Sequence, residues 1–148
     1  MARNRRFMPV PPEAVWDALA DPGNYGYWVV GSKLIRDADP LWPAPGTRFH
    51  HTVGVGPFTI NDHTESLRAE PPHVLTLRAK GRPGIIADVH FELEPQSGGT
   101  LVRMYEEPAS VYAPLRFNPL VQLMIKLRNA ESLARLEELA LRRAPEAA

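Results

Sequence analysis

The chain contains no cysteine, which excludes disulfides, thiolate metal sites and a cysteine nucleophile together. It has no excess of charge of either sign, since 17 Lys and Arg balance 17 Asp and Glu. The arginines are also spread along the chain, so the basic footprint that nucleic-acid binding needs is missing. No apolar run reaches the roughly eighteen residues of a transmembrane helix. The basic start, MARNRRFMPVPP, runs into prolines instead of an apolar stretch and lacks the pattern of a secretory signal. These absences predict a cytoplasmic protein with no nucleic-acid partner and no integral membrane segment. Repeats and low-complexity linkers are lacking too, and 148 residues fit a single domain, 1–148, able to bury about two thirds of its unfolded surface. There is no G-x-S-x-G elbow, phosphate-cradling glycine loop, H-E-x-x-H or dinucleotide fingerprint; the G-x-G of VGVGPF joins two strands and opens no helix.

What is present alternates strand-like runs with turn signals. An apolar stretch, Arg6 to Val10, ends at two prolines, the second of which suits the first position of a helix in PPEAVWDALAD. DPGNY breaks that helix, and GYWVVG adds a second short helix or turn. From 32 to 108, PAPG, GVGP, AEPP, GRPG and PQSGG separate strands. Period two is clear where Leu75, Leu77 and Ala79 share a face and where Ala87, Val89, Phe91 and Leu93 do. In TLVRMYEE, Leu101 and Tyr105 compete with Val102 and Met104 for the inner face, and Val102, Met104 and Glu106 are preferred inward. Asn118 is a candidate N-cap and Pro119 a first helical residue for a run ending in arginines. Its stripe Leu120, Leu123, Met124, Leu127, Ala130 and Ala134 is expected to lie on the sheet, with Val121 and Ile125 outside it, against loops or a second subunit. Segregated helices on an antiparallel sheet make an α+β two-layer fold.

The stretch FHHTVGVGPFTINDHTE, residues 49–65, holds three of the five histidines. A hairpin pairing Val53 with Phe58 puts Phe49, His51, Val53, Phe58, Ile60, Asp62 and Thr64 on one face, and Arg48, His50, Thr52, Thr59, Asn61, His63 and Glu65 on the other. The apolar face turns inward, with His51 and Asp62 as diagonal neighbours. That pair reads as a structural pin, as a polar anchor for a ligand, or as a base and its orienter; a buried carboxylate requires some partner in every case, and Glu106 joins them if it faces inward. Outside, His50 and His63 with Glu65 lack enforced tetrahedral spacing, so no metal site is expected. Trp28, Tyr25, Tyr27 and Trp42 read as pocket lids or core plugs.

The element order, with PPEAVWDALADPGNYGYWVVG, EPPHVLTLRA and GGTLVRMYEE before a terminal helix, resembles the SRPBCC or START-like superfamily. WVVG, WPAPG, FHHTVGVGP and DHTE are similar to actinobacterial members labelled polyketide cyclase/dehydrase-like. The resemblance implies a helix-grip fold: a curved antiparallel sheet of about seven strands around a long C-terminal helix, with two short helices after the first strand. It also implies an apolar ligand such as a lipid or polyketide in an internal cavity; no cofactor is expected. The expected lining is Trp28, Trp42, Phe49, His51, Phe58, Ile60, Asp62, Leu77, Val89, Phe91, Met104, Leu120, Met124 and Leu127. A binding or carrier role is favoured. The alternative is a cyclase or dehydratase using His51 as base, Asp62 to orient it and Glu106 as acid. The protein is expected as a monomer or homodimer.

Overall fold

Strand β1 (Ala2–Met8) pairs antiparallel with the last strand of the sheet, from Ala2 opposite Glu106 to Met8 opposite Thr100. It starts four residues before the expected Arg6, because alternation lets Arg3 and Arg5 point to solvent while Ala2 and Met8 are buried. In this computed structural model, residues 2–28, 32–55, 57–81, 85–110 and 118–143 are described; at Gly26, 32–37, 51–55, 58–62, Gly81, Ile85 and 108–110 the description is of the backbone.

Pro12 opens α1 (Pro12–Ala20), where its missing N–H costs nothing. Asp21 accepts from the Gly23 N–H at 2.9 Å and starts a 3-10 turn (Pro22–Asn24), followed by the single-turn α2 (Tyr25–Trp28). The remaining strands are β2 (Ser32–Ala38), β3 (Arg48–Val55), β4 (Phe58–Glu70), β5 (Val74–Gly81), β6 (Ile85–Gln96) and β7 (Gly99–Ser110). They form one seven-stranded sheet in the order β1-β7-β6-β5-β4-β3-β2. Consecutive strands from β2 to β7 pair as a meander, and β1 closes onto β7. Register shifts in β2/β3, β4/β5 and β6/β7 bend the sheet as bulges do.

The inner face carries the side chains that periodicity assigns to it: Leu75, Leu77, Val89, Phe91, Leu93, Val102 and Met104 are buried, together with Val15, Trp16 and Leu19 of α1. Burying each large apolar side chain contributes about 1.5–3 kcal/mol. The long helix α3 (Pro119–Arg143) is capped by Asn118, whose Oδ1 accepts from the Leu120 N–H at 2.9 Å.

Its facing departs from expectation. The buried residues are Asn129, Ser132, Leu133, Leu136 and Ala140, whereas Leu120, Leu123, Met124 and Leu127 are between 51 and 66% exposed. At about 100° per residue the two stripes lie on opposite sides of the helix. Val121 and Ile125, expected outside the packed stripe, are half-buried on the side that continues into Leu133 and Leu136. The second half of α3 sets this rotation. Leu133 and Leu136 enter the core, Arg143 reaches the Asp17 carbonyl at 3.0 Å and the Asp21 carboxylate at 2.6 Å, and Asn4 of β1 donates to the Lys126 carbonyl at 3.0 Å. A helix has one rotation along its length, so the first-half stripe is carried outward.

Candidate functional site

The β3–β4 hairpin closes one residue pair tighter than expected. Val55 opposes Phe58, so Val53 meets Ile60 and His51 stands directly opposite Asp62. The sequence-based register, with Val53 against Phe58 and His51 diagonal to Asp62, is corrected by two residues. Side chains repeat with period two, so this slip changes partners and preserves faces. Phe49 and Thr64, a register pair on the same parity as 51 and 62, are both buried. The side chains of His51, Phe58, Ile60 and Asp62 lie outside the described residues. Outside the sheet His50 and His63 are likewise direct partners, with ring centroids 5.9 Å apart. Glu65, the expected third member, pairs with Arg48 at 3.6 Å. Among the described residues no cluster of three or more His, Asp or Glu is placed to hold a metal.

The aromatics form a wall. Tyr25 sits edge-on to Trp28 (4.8 Å), Phe49 (4.6 Å) and Trp42 (6.1 Å), Trp42 meets Phe49 at 4.6 Å, and Trp28 reaches Phe91 at 5.9 Å. Edge-to-face pairs at these separations add about 0.5–1.5 kcal/mol each beyond their buried area. Local chemistry puts Trp42 there. Its loop is tied to β4 by Ser66, whose Oγ donates to the Pro43 carbonyl at 2.7 Å and whose backbone exchanges bonds with Gly46 and Thr47, and is braced internally by Thr47, whose Oγ1 donates to the Ala44 carbonyl at 2.6 Å. The Tyr25 hydroxyl donates to the Leu19 carbonyl at 2.6 Å, and burial, with Asp21 adding to it, pushes its pKa far above the usual phenol range. Trp28 and Trp42 are 1% and 8% exposed, yet the indole nitrogens of both are buried without a hydrogen-bond partner. Tyr27 points out instead and donates to Glu138 of α3.

A second polar group lies where the sheet meets α3. Glu106, on the predicted inner face, is 6% exposed, and Nη2 of Arg128 donates to both its oxygens at 2.7 and 2.6 Å. Burial raises the Glu106 carboxyl above the usual carboxylate range, against the opposing pull of Arg128 and Asn129. Asn129 turns towards the same carboxylate but too loosely for a hydrogen bond, and its buried Nδ2, like the buried Oδ1 of Asn4, has no partner. Sequence reasoning did not single out Arg128, Asn129 or Asn4. The signal that could have found them is the requirement that an inward Glu106 meet a cation. Glu106 does not sit next to the His51–Asp62 pair: β6 and β5 separate β7 from β4, and Glu106 is committed to Arg128.

Of the expected lining, Trp28, Trp42, Phe49, Leu77, Val89, Phe91 and Met104 are brought to the buried inner side. Leu120, Met124 and Leu127 are not, for the rotational reason given above. Beneath the first half of α3 only Val121, Gln122 and Ile125 turn sheetward, all half-buried, so the seam loosens there. A separate surface cleft of about 340 Å³, lined by Pro9–Pro12, Pro95, Gln96, Gly98 and Gly99, carries no charged group.

A curved antiparallel sheet gripping one long C-terminal helix, with short helices after the first strand, is the helix-grip fold of the SRPBCC superfamily. The chain belongs to the family described as "Polyketide cyclase / dehydrase and lipid transport", whose model matches residues 2–140. Protein MLL2253 from Mesorhizobium loti is similar at 24% identity, with 97% of this chain and 98% of that one covered and a TM-score of 0.70. The di-domain ARO/CYC BexL from the BE-7585A biosynthetic pathway is similar at 11% identity over 99% of this chain and 50% of that one, TM-score 0.68. Ara h 8.0201 is similar at 14% identity, covering 95% and 96%, TM-score 0.69. These likenesses share the fold. No curated protein matches the chain. Among the described residues no helix is long and apolar enough to cross a membrane.

Proposed function

We propose that the protein binds or carries a small apolar molecule bearing at least one hydrogen-bond acceptor, held between the sheet and the first half of α3. The observation that carries this is the pair of unpartnered indole N–H groups of Trp28 and Trp42 in an otherwise apolar aromatic wall. A buried donor left unmade costs about 1–3 kcal/mol, and a ligand carbonyl, hydroxyl or carboxylate removes that cost. The family description, which includes lipid transport, and the half-buried seam under Val121 and Ile125 support the same reading. His51 and Asp62 are the further polar anchor, with Phe58, Ile60, Leu77, Val89, Phe91 and Met104 as apolar lining. The test is native mass spectrometry of protein from its own host, followed by tryptophan-fluorescence titration with fatty acids, sterols and aromatic polyketides. A ligand that quenches the indoles, bound about fivefold more weakly by Trp28→Phe for the lost donor, is the expected result. An interior closed to the whole panel, with nothing co-purifying, overturns it.

One observation favours a second reading. Direct opposition of His51 and Asp62 in the strand register is the backbone placement that a general base and its orienting carboxylate would take in a cyclase or dehydratase. Replacing His51 by Ala then abolishes turnover of a polyketide-like substrate and leaves its binding intact. Unchanged turnover excludes that role.

A further inference from the structure

The outward stripe of α3 is an apolar surface that the fold leaves unused. Leu120, Leu123, Met124 and Leu127 follow i, i+3, i+4, i+7 spacing and stand exposed on the side of the helix turned away from the core. Exposed apolar side chains contiguous along two turns mark a contact surface.

The charges around the stripe select its occupant. No Asp or Glu occurs between Glu107 and Glu131, whereas Lys126 and Arg128 fall within that span. At about 100° per residue these cations lie on either flank of the stripe, each about 90–110° from its centre. Both are exposed, Arg128 through the part of its side chain not turned to Glu106. Apolar residues in the middle with long cationic side chains at both margins is the arrangement of a helix lying in a bilayer interface. The leucines enter the acyl boundary there, and the ammonium and guanidinium groups reach the phosphates. A second copy of the chain packed on this face would bring Lys126 and Arg128 near their own equivalents, and the acids that continue the same side, Glu131 and Glu138, are already engaged by Arg135 and Tyr27, so the cationic flanks favour an anionic surface over self-association.

We infer that the first half of α3 docks the protein on a membrane surface containing anionic phospholipid. The inference is independent of the ligand reading, since it concerns the opposite side of the helix. Docking is peripheral and reversible, driven by four apolar side chains and assisted chiefly by Lys126, since the charge of Arg128 is already balanced by Glu106, and it weakens with added salt because the electrostatic part is screened.

The experiment is co-sedimentation of the full chain with vesicles of phosphatidylcholine alone and of phosphatidylcholine with about one third phosphatidylserine. Expected is binding to the anionic vesicles that falls with salt, falls roughly tenfold or more in Leu123→Ser/Met124→Ser, and falls about fivefold in Lys126→Ala. These positions are exposed, so an unchanged thermal midpoint shows that the variants are folded. No sedimentation of the wild-type chain with anionic vesicles overturns the inference, as does equal binding by the serine variant. A concentration-dependent dimer that the serine substitutions dissolve, without vesicle binding, also overturns it and assigns the face to a second copy. Failure of every ligand in the panel above leaves the outcome of this experiment unaffected, so the two proposals fail separately.

Discussion

Replacing Arg128 by Met tests how the sheet–helix seam is held. Glu106 is nearly closed off from solvent, and Arg128 is its charged partner, with both carboxylate oxygens within 2.7 Å of Nη2. Two unit charges about 4 Å apart interact by about 4 kcal/mol at an effective dielectric near 20, and stripping one partner from a buried pair costs about 3–5 kcal/mol. The Arg128 side chain is 43% exposed, so solvent screening places the expected loss at the lower end, about 3 kcal/mol. For a domain of this size that is a fall in thermal midpoint of about 6–12 °C. The pH dependence has a definite sign. The folded-state pKa of Glu106 is raised above its ordinary value, so the folded chain holds the proton more tightly than the unfolded one. Its stabilising contribution is therefore complete below the ordinary carboxylate range and is lost as pH rises through the raised value. Without Arg128 that value rises further and the loss deepens. The difference between Arg128→Met and wild type should be small near pH ~4.5 and approach its full size near pH ~8, measured by urea unfolding at both pH values. Glu106→Gln/Arg128→Met carries no charge at the seam and should unfold within about 1 kcal/mol of wild type at either pH. A single variant equally destabilised at both pH values, or a double variant no better than the single, refutes the reasoning.

Three other substitutions follow from the same structure. Gly99→Ala should destabilise the fold by about 1–3 kcal/mol in urea unfolding, because an added methyl would stand 2.2 Å from the Met8 carbonyl oxygen and 3.0 Å from Pro9 Cα, which only a backbone shift relieves. Asn118→Ala removes the acceptor for the Leu120 N–H and should cost about 1 kcal/mol, read as a drop of about 2–4 °C in thermal midpoint. Leu133→Ala should cost about 2–5 kcal/mol by chemical denaturation, whereas Leu123→Ala, on the exposed face of the same helix, should stay within about 0.5 kcal/mol.

Much of the fold was legible because its signals are local. Proline and glycine clusters mark every strand break between β2 and β7, Asn118 and Pro119 mark the start of α3, and in β7, where Leu101 and Tyr105 make alternation ambiguous, the preferred face of Val102, Met104 and Glu106 is the buried one. Two features were not local. The β3–β4 register depends on whether two or more residues form the turn, and the apolar alternation on both strands accepts either choice, since a slip of two keeps every face. The rotation of α3 depends on which of two apolar stripes the rest of the molecule receives. The stripe from Leu120 to Leu127 has four large apolar side chains and reads as the packed one. The other, through Leu133, Leu136 and Ala140, with fewer large apolar side chains, buries because Asn4, Glu106, Asp17 and Asp21 hold the helix by polar contacts that no periodicity reveals. The partner of Glu106 was missed for the same reason: Arg128 lies 22 residues away, on an element read for its apolar face.

The position of these polar contacts explains why the molecule is not uniformly packed. Beyond Asn129, α3 is a core element, with Leu133, Leu136 and Ala140 fully buried. Before it, the sheetward side chains are only half-buried and the outward ones are apolar. A helix selected for stability alone would place its larger apolar stripe inward throughout, since burying each leucine is worth about 1.5–3 kcal/mol. Here Leu120, Leu123 and Leu127 forgo that gain, while Glu106 and Arg128 gather charge, and Asn129 Nδ2 and Asn4 Oδ1 are buried polar atoms without a partner, at the point where tight packing ends. The same helix therefore anchors the fold with one half and leaves the other half free to carry a ligand contact on one side and a surface contact on the other, and the stability cost falls where both proposed functions are located.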